Sequence, residues 1–343
     1  MNKIVWSQSE ASMTAYALVE ELQHYFVEKL DTISREFGEN IPAQALQWSR
    51  DKGSHGGGIR LEMQDDTIFN RGSVNISQVH YDDHPKKNLE AASAISTIIH
   101  PLNPYAPSMH MHISWTQMRR GGSYWRMMAD INPSVENAAH TQSFTRMLQK
   151  VSGTYYAEAT AQGDRYFYIP ALKRHRGVRH FYLEQFNSGS FQNDTLLAQQ
   201  LGTAVIDTYC HLLRESIQYT YGEDERVRQR HYHTLYFFQV LTLDRGTTSG
   251  LLVHNENDIG ILASLPKYID ADLLLSWQDL VKKPQDALLK RLVMCLGSGI
   301  VLVDEAMKKG LAEAVRSHYR QYPEALHLQA SGDVIAPTVQ NHA

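Results

Sequence analysis

Hydrophobic residues at three- and four-residue steps predict two long helices in this chain. The first covers residues 8–37, and its apolar stripe ends at Gly38, a residue that often terminates helices. The second runs from Leu196 to Ile217 with the same spacing, and a shorter helix is expected over residues 134–151. Each helix has one apolar face, so each should pack against a sheet or another helix.

Alternating polar and apolar positions predict strands between these helices. Short strands and turns are expected over residues 56–80, and longer strands over 94–100, 108–116 and 123–131. The run 235–243 is apolar on both faces, which predicts a central strand covered on each side. Together these elements predict an α+β fold, a large and mostly antiparallel β-sheet flanked by α-helices on both faces.

The last third of the chain has shorter apolar segments. Residues 285–321 should form helices, and the runs 292–296 and 300–303 resemble core helix more than a membrane span, since both are far shorter than the roughly 18 residues a span needs. No Pro/Ser/Gly-rich linker divides the chain. We therefore expect a single domain over residues 1–323 and a frayed tail over 324–343.

The strand predicted over residues 108–116 has one face equipped for chemistry. His110, His112 and Ser114 fall on that face by alternation, and the opposite face is apolar. Two imidazoles on one side of a strand can share a metal ion, or they can be hydrogen-bonded groups that line a cavity without one. The pattern by itself leaves both interpretations open. The nearby residues 56–58, three glycines, are expected to form a sheet turn.

Several motifs resemble those of the aerobic coproporphyrinogen III oxidase family. The segment from Ser96 to His110, with its His-Pro-Leu-Asn-Pro-Tyr-Ala-Pro core, is similar to the family's strand, proline-punctuated loop and strand that carries the catalytic histidine. Further matching motifs are Asp130-Ile131-Asn132-Pro133, Arg176-Gly177-Val178, Tyr221-Gly222-Glu223 and Asp244-Arg245-Gly246-Thr247. The resemblance extends over roughly residues 45 to 270.

This resemblance implies an oxidoreductase of haem biosynthesis that converts coproporphyrinogen III to protoporphyrinogen IX by oxidative decarboxylation. Dioxygen would be the co-substrate, and no flavin, haem or nicotinamide is expected. The implied catalytic residues are His110, Asp130, Asp244 and Arg245. The implied substrate-binding residues are Ser96, His112, Ser114 and Arg176. His110 would donate or accept a proton, and Asp130 or Asp244 would face the centre of the tetrapyrrole.

The family also predicts a homodimer, for which helices in residues 285–321 offer an apolar face. Part of that face could instead pack within the same chain. The formal net charge of -4 gives no indication of nucleic-acid binding, and no targeting or membrane-spanning segment is visible, so the cytoplasm is the expected location. Cys210 and Cys295 lie in apolar helical contexts, which favours reduced thiols over a disulfide.

Departures from the family pattern leave three functional hypotheses open. The family pattern at His110 is His-x-Asn-x-Arg. In this chain His112 stands at the Asn position and Ser114 at the Arg position, so a carboxylate-binding arginine is missing. Side chains also replace glycines at residues 126–128 and at residues 179–180. The first hypothesis is an active oxidase in which other cations bind the propionates, with these candidates: Arg119, Arg120, Arg126, Lys173, Arg174 and Arg179.

The second hypothesis is a divergent paralogue that has lost this reaction and binds or modifies another tetrapyrrole or acidic ring compound. The third is a metal-dependent enzyme built around His100, His110 and His112. Of the histidines proposed as metal ligands in bacterial relatives, only His100 and His110 are present at matching positions, so a divalent metal is a weaker expectation.

Overall fold

A computed structural model describes residues 3–332 of the protein, and a seven-stranded sheet lies at its centre. The described strands are β1 (Gln44–Ser49), β2 (Gly56–Glu62), β3 (Phe69–His80), β4 (Leu89–Pro101), β5 (Ser108–Met118), β6 (Tyr124–Asn132), β7 (Tyr168–Ile169), β8 (Arg174–His175), β9 (Arg179–Phe186), β10 (Tyr268–Asp270) and β11 (Ile300–Leu302). The sheet has the order β1-β2-β3-β4-β5-β6-β9, and every neighbouring pair is antiparallel. The pairs β7-β8 and β10-β11 lie outside it.

Helices cover both faces of the sheet. The described α-helices are α1 (Glu10–Phe37), α2 (Ala138–Ser152), α3 (Tyr156–Phe167), α4 (Phe191–Ile217), α5 (Glu223–Thr242), α6 (Arg245–Val253), α7 (Asp258–Ile261), α8 (Ala271–Ser276), α9 (Gln285–Leu296) and α10 (Glu305–Gln321). The predicted α+β class, with a mostly antiparallel sheet between helices, is thus confirmed. No described helix is both long and apolar enough to cross a membrane.

One face of the sheet packs against α1, α2 and α4. The alternation predicted for β5 is observed, because Met109, Met111 and Ile113 point into this core and are fully buried. The stripes of α1 and α4 supply partners such as Phe26 and Val205. Burying one such side chain stabilises the fold by about 1.5–3 kcal/mol, so this face holds the sheet firmly.

The opposite face is covered by a second helical layer built around α5. The prediction of a central strand over residues 235–243 is wrong, because residues through Thr242 belong to α5. Every residue from Tyr232 to Thr242 is buried, since Ile98 and His100 of β4 lie on one side and α8 and α9 on the other. A helix surrounded by protein is apolar all round, so it has no periodicity that would distinguish it from a buried strand.

Three smaller expectations also need correction. Residues 56–58 begin β2 instead of forming a turn, because glycine is what lets β3 come close: a Cβ on Gly56 would lie 2.0 Å from the carbonyl oxygen of Gln78. Residues 300–302 form the short strand β11, not core helix, and Ile300 is exposed. The predicted tail begins with a 3-10 helix, Pro323–Leu328, and the backbone N–H of Ala330 bonds to the Leu243 carbonyl at 2.9 Å. The rest of that tail, residues 333–343, lies outside the described residues.

The two cysteines are free, as predicted. Cys210 is buried in α4, where burial raises its pKa to about 12, and Cys295 is half-buried in α9. Neither thiol is therefore expected to react at neutral pH.

Candidate active site

A cavity of about 330 Å³ lies between the polar face of the sheet and the helices α5 and α6. Its volume is at the lower end of the range for ligand sites. The sheet residues predicted as site residues that line it are Ser96, His110, His112 and Ser114. From outside the sheet come three more of them, Arg176, Asp244 and Arg245. Seven of the eight residues predicted for catalysis or substrate binding thus meet in one place.

The eighth, Asp130, lies directly behind His110. The two residues face each other across β5 and β6 in the sheet register, and His110 Nδ1 lies 2.8 Å from Asp130 Oδ2. Asp130 is fully buried, whereas the His110 side chain keeps 17 % of its surface exposed. Because Nδ1 faces the carboxylate, Nε2 is the ring nitrogen available to a molecule in the cavity.

Arg176 binds the other oxygen of this carboxylate. Its Nη2 donates to Asp130 Oδ1 at 2.8 Å, and its Nη1 donates to Gln239 of α5 at 2.8 Å. The guanidinium also lies 4.3 Å from the ring centroid of Phe167. Buried planar ion pairs of this kind fix geometry as well as charge.

The Arg-Gly sequence explains how Arg176 reaches Asp130. Gly177 has a φ of 78°, a backbone conformation that favours glycine. A Cβ at this position would lie 2.4 Å from the side-chain oxygen of Asn132, so any other residue would push the loop away from β6. Asn132 in turn donates to Asp130 Oδ1 at 2.5 Å. The motif therefore serves to bring the arginine against the buried carboxylate.

The charge of this array is well defined. Burial alone would raise the pKa of Asp130, but the Arg176 charge, followed by His110, outweighs it and holds that pKa well below its usual range. Asp130 is therefore a carboxylate at every physiological pH. A fixed anion at Nδ1 orients the His110 ring.

His112 and Ser114 continue the same face of β5 but carry no charge. His112 Nε2 lies 3.1 Å from Ser114 Oγ. Burial, and then the Arg126 charge, lower the pKa of His112 to about 3, so this imidazole is neutral at physiological pH. Ser96 is the direct partner of His112 on β4. These three side chains can donate or accept hydrogen bonds, but they cannot replace the family's arginine as a cation.

Asp244 caps a helix at the cavity wall. Its Oδ1 accepts the backbone N–H of Thr247 at 2.6 Å at the start of α6, and its Oδ2 accepts the Tyr166 hydroxyl at 2.8 Å. Burial, and then the charge of Asp244, raise the pKa of Tyr166. Of the two predicted aspartates, Asp244 lines the cavity, while Asp130 lies behind His110.

A second charged cluster, formed by Arg126, Glu184 and Arg245, lies beside the first. The buried Glu184 Oε1 is 3.7 Å from Arg126 Nη2 and 3.4 Å from Arg245 Nη1. Arg245 also donates to the carbonyl oxygen of Ala330 at 2.8 Å, so the segment after the last helix reaches the cavity. Among the described residues at this cavity, the arginines 126, 176 and 245 are thus balanced by three carboxylates, Asp130, Glu184 and Asp244.

The side chains that stand at the family's glycine positions, residues 126–128 and 179–180, differ in their effect on the cavity. Arg126 and Met128 line the cavity, so side chains do fill space on the β6 wall. Arg179 is directed elsewhere and donates to Thr145 Oγ1 at 2.7 Å. His180 is held by Asp164 at 2.8 Å and does not line the cavity. The substitutions at residues 126–128 therefore reshape the cavity, and those at residues 179–180 do not.

Of the six cations considered as substitutes, only Arg126 is among the described cavity-lining residues. Arg119 is 3.3 Å from Glu90, and Arg120 is exposed. Lys173 and Arg174 are exposed at β8. The cations at the cavity are instead Arg126 with the two family-matched arginines, 176 and 245.

His100 is not placed to act as a ligand together with His110. It is fully buried, with Nδ1 2.8 Å from Ser108 Oγ and Nε2 3.2 Å from the Ser264 carbonyl oxygen. Burial, and then the nearby His233, lower its pKa well below the usual value. Both nitrogens thus have partners within the protein, which is typical of a structural histidine.

Two charged or polar residues of the cavity, Glu184 and Tyr166, were not predicted from the sequence. Glu184 follows the strand period of β9 from Tyr182, and both line the cavity. That alternation could have revealed Glu184 once residues 179–186 were recognised as a strand. Tyr166 lies at the end of α3, and no sequence signal connects it with Asp244, which is 78 residues away.

The residues at the cavity wall can transfer protons and can form hydrogen bonds through charged groups. His110 supplies a titratable nitrogen, Asp130 and Arg176 fix its orientation, and Asp244 supplies a fixed carboxylate.

Comparison with known proteins identifies the family of this chain. The sequence model described as "Coproporphyrinogen III oxidase" matches residues 14–292. The "Oxygen-dependent coproporphyrinogen-III oxidase" of Rickettsia akari is 26% identical over 262 residues, which are 71% of this chain and 92% of that protein. The protein of the same name from Rickettsia bellii is 28% identical over 233 residues, 64% of this chain and 81% of its own length.

A mammalian relative shows the same similarity. The "Oxygen-dependent coproporphyrinogen-III oxidase, mitochondrial" of Rattus norvegicus is 25% identical over 266 residues, covering 70% of this chain and 58% of the rat protein. Because the family model matches most of its length, this chain belongs to the coproporphyrinogen III oxidase family.

Proposed function

We propose that this protein catalyses the oxygen-dependent oxidative decarboxylation of coproporphyrinogen III to protoporphyrinogen IX. The observation that carries the proposal is the array of His110, Asp130 and Arg176 at the cavity wall, built from motifs that match the family. The names of the relatives support the same reaction.

The reaction balances with dioxygen as the only oxidant. Two of the four propionic acid side chains react. Each of these two loses its carboxyl group as CO₂ and one hydrogen from the carbon next to the ring, and a vinyl group remains. The two electrons and two protons released reduce one O₂ to H₂O₂. Because the reduced substrate is electron-rich, the protein has to position it and control its protons, without supplying a redox group.

His110 is the proton carrier in this proposal. Its Nε2 accepts a proton from the substrate, and the Asp130 carboxylate stabilises the imidazolium that forms. Arg176 keeps that carboxylate ionised and fixed. Asp244, on the α6 side of the cavity, accepts pyrrole N–H bonds in place of water. Proton transfer by a positioned side chain contributes about 10²- to 10⁴-fold to a rate.

A divergent binding or modifying activity is the second candidate, and one observation favours it. Coproporphyrinogen III has four carboxylates, but the charges of Arg126 and Arg245 are already met by Glu184. A carboxylate of the substrate would have to compete with that pair. A tetrapyrrole or acidic ring compound with fewer carboxylates would fit this charge balance better.

We also infer that the protein is a homodimer. Apolar side chains with at least 49% of their surface exposed occur in the predicted region, namely Met294, Ile300 and Leu302. Exposed apolar residues grouped on a few neighbouring elements favour association with a second copy. A Met294→Lys/Ile300→Lys variant should be monomeric by light scattering, while Leu196→Lys on α4 should leave the dimer intact. A monomeric unmodified protein would contradict the inference.

Turnover of coproporphyrinogen III tests the proposal against the second candidate. The protein is incubated aerobically with the substrate, and protoporphyrin fluorescence is measured after oxidation of the product. His110→Gln should reduce the rate by at least 10²-fold, and the exposed control His24→Gln should not change it. If the unmodified protein shows no turnover but binds coproporphyrin III, the second candidate is the better one. Equal rates for the unmodified and His110→Gln proteins would refute the proposed role of His110.

A further inference from the structure

A group of metal-ligating side chains lies outside the cavity, where the turn before β2 meets the loop after β3. His55, Asp83 and His84 each offer one ligand atom, and these atoms all lie within 4.8 Å of one another. Within residues 3–332, this is the one such set of three histidine, cysteine or acidic ligands. It plays no part in the proposed reaction.

The sheet register brings these residues together. Gly56 pairs with Val79 across β2 and β3, so His55 lies next to His80, and the loop that follows His80 carries Asp83 and His84. Backbone bonds fix this loop, since His84 N donates to the Tyr81 carbonyl at 3.0 Å. The ligands are thus held by strand pairing and a turn, not by a flexible terminus.

His55 has the surroundings of a metal-bound histidine. Its Nδ1 lies 2.6 Å from Asp51 Oδ2, while its Nε2 lies 3.1 Å and 3.2 Å from the two oxygens of Asp83. Metal-ligating histidines usually donate their second N–H to a carboxylate, which fixes the tautomer. With Asp51 at its Nδ1, His55 points its Nε2 at the carboxylate of Asp83, so the two side chains are placed to share one positive charge.

A proton could supply that charge, but the position of His84 favours a larger cation. His84 Nε2 lies 3.8 Å from Asp83 Oδ2, on the same side as His55. A proton shared by His55 and Asp83 gives no reason for a second imidazole to converge there. Two ligand atoms bound to one tetrahedral zinc ion are about 3.3 Å apart, from bond lengths near 2.0–2.1 Å. Measured to the same oxygen, Asp83 Oδ2, the separations of His55 Nε2 and His84 Nε2 are 3.2 and 3.8 Å, close to that value.

We propose that His55, Asp83 and His84 bind a divalent transition-metal ion of the zinc type, with Asp51 orienting His55. Two imidazoles and one carboxylate suit Zn²⁺ and its neighbours, whereas Ca²⁺ and Mg²⁺ prefer oxygen ligands only. Three protein ligands leave a position for water. Asp83 and His84 are exposed, so the ion reaches the site directly from solvent.

Zinc titration of the EDTA-treated full-length protein, against a chromophoric chelator, tests this site. We expect one Zn²⁺ per chain. His55→Gln and His84→Gln should each weaken binding at least 10-fold, and Asp51→Asn should weaken it 10- to 100-fold through the orientation of His55. The exposed His24→Gln is the matched control and should bind like the unmodified protein.

Two results would overturn the proposal. One is the absence of saturable binding at equimolar zinc. The other is zinc binding that survives His55→Gln and His84→Gln but is lost in His110→Gln, because the ion would then occupy the cavity. Cobalt gives an independent readout, since Co²⁺ in the proposed site should show the intense visible absorption of tetrahedral coordination, and His84→Gln should remove it. His84 is exposed, so this variant should not impair folding.

Discussion

Replacing Asp130 by Asn removes one charge from the centre of the site with little change of shape. Asp130 is fully buried and accepts from Arg176 at 2.8 Å, with His110 Nδ1 at 2.8 Å on its other oxygen. An amide has a single oxygen, so it can accept from one of these partners and must present N–H groups to the other. Arg176 would keep its bond to Gln239 but lose its only ion-pair partner among the described residues.

The expected cost in stability follows from that unpaired guanidinium. Breaking a buried ion pair by removing one partner costs about 3–5 kcal/mol. At roughly 2 °C per kcal/mol for a chain of this size, Tm should fall by about 6–10 °C at pH 7. The matched control is Asp164→Asn, which breaks the 2.8 Å pair with His180. Because the Asp164 side chain is 48% exposed, that variant should lose no more than about 1 kcal/mol.

The stability difference should depend on pH in one direction. The pKa of Asp130 is lowered in the folded protein, so its carboxylate contributes stability above the unfolded pKa of about 4, and this contribution is lost as the pH falls toward the folded pKa. The Tm gap between the unmodified protein and Asp130→Asn should therefore be constant from pH 6 to 8 and shrink below about pH 4.

Activity supplies the second measurement on this variant. With an amide at Nδ1, His110 is driven toward the tautomer with its proton on Nε2, so it can no longer accept a proton there. The value of kcat should fall by about 10²- to 10⁴-fold. A variant with unchanged Tm at pH 7, or with nearly full activity, would refute the assignment of Asp130 as the group that orients His110.

Three further changes test other parts of the site. Glu184→Gln removes the carboxylate shared by two arginines, so coproporphyrin III should bind about 10-fold more tightly by fluorescence quenching, and weaker binding would contradict the charge-balance argument. Tyr166→Phe takes a donor from Asp244, and urea unfolding should show a loss of about 1–3 kcal/mol; no loss would mean that water replaces the hydroxyl. His112 is already neutral because its pKa is lowered to about 3. His112→Gln should therefore keep the shape of the kcat/KM profile from pH 5 to 8. Loss of a titration step from that profile would show that His112 carries charge.

The part of the site that depends on strand period could be predicted from the sequence. Alternation placed His110, His112 and Ser114 on one face, and the structure has them there. The pairing of His110 with Asp130 needs the register of β5 and β6, which no local pattern gives. Long-range partners such as Tyr166 for Asp244, or Glu184 for Arg245, depend on how the layers pack, so they were not accessible.

The misassigned helix α5 shows the limit of periodicity more clearly. Its last eleven residues include two Tyr and two Phe, which favour strands, and all eleven are buried. Burial by β4 residues such as His100 on one side and by other helices on the other removes the polar face that would have revealed a helical period. The start of α5 carried a better signal, because Glu223 and Glu225 form the acidic first turn of a helix.

The central claim is that this protein oxidises coproporphyrinogen III with dioxygen, and gas stoichiometry tests it most directly. The unmodified protein is mixed with a limiting amount of the substrate, and O₂ uptake, CO₂ release and protoporphyrinogen IX are measured together. The account predicts two O₂ consumed and two CO₂ released for each protoporphyrinogen IX formed, and no product without oxygen. Binding of the substrate with no CO₂ released in the presence of oxygen would contradict the account and identify the protein as a divergent member of the family.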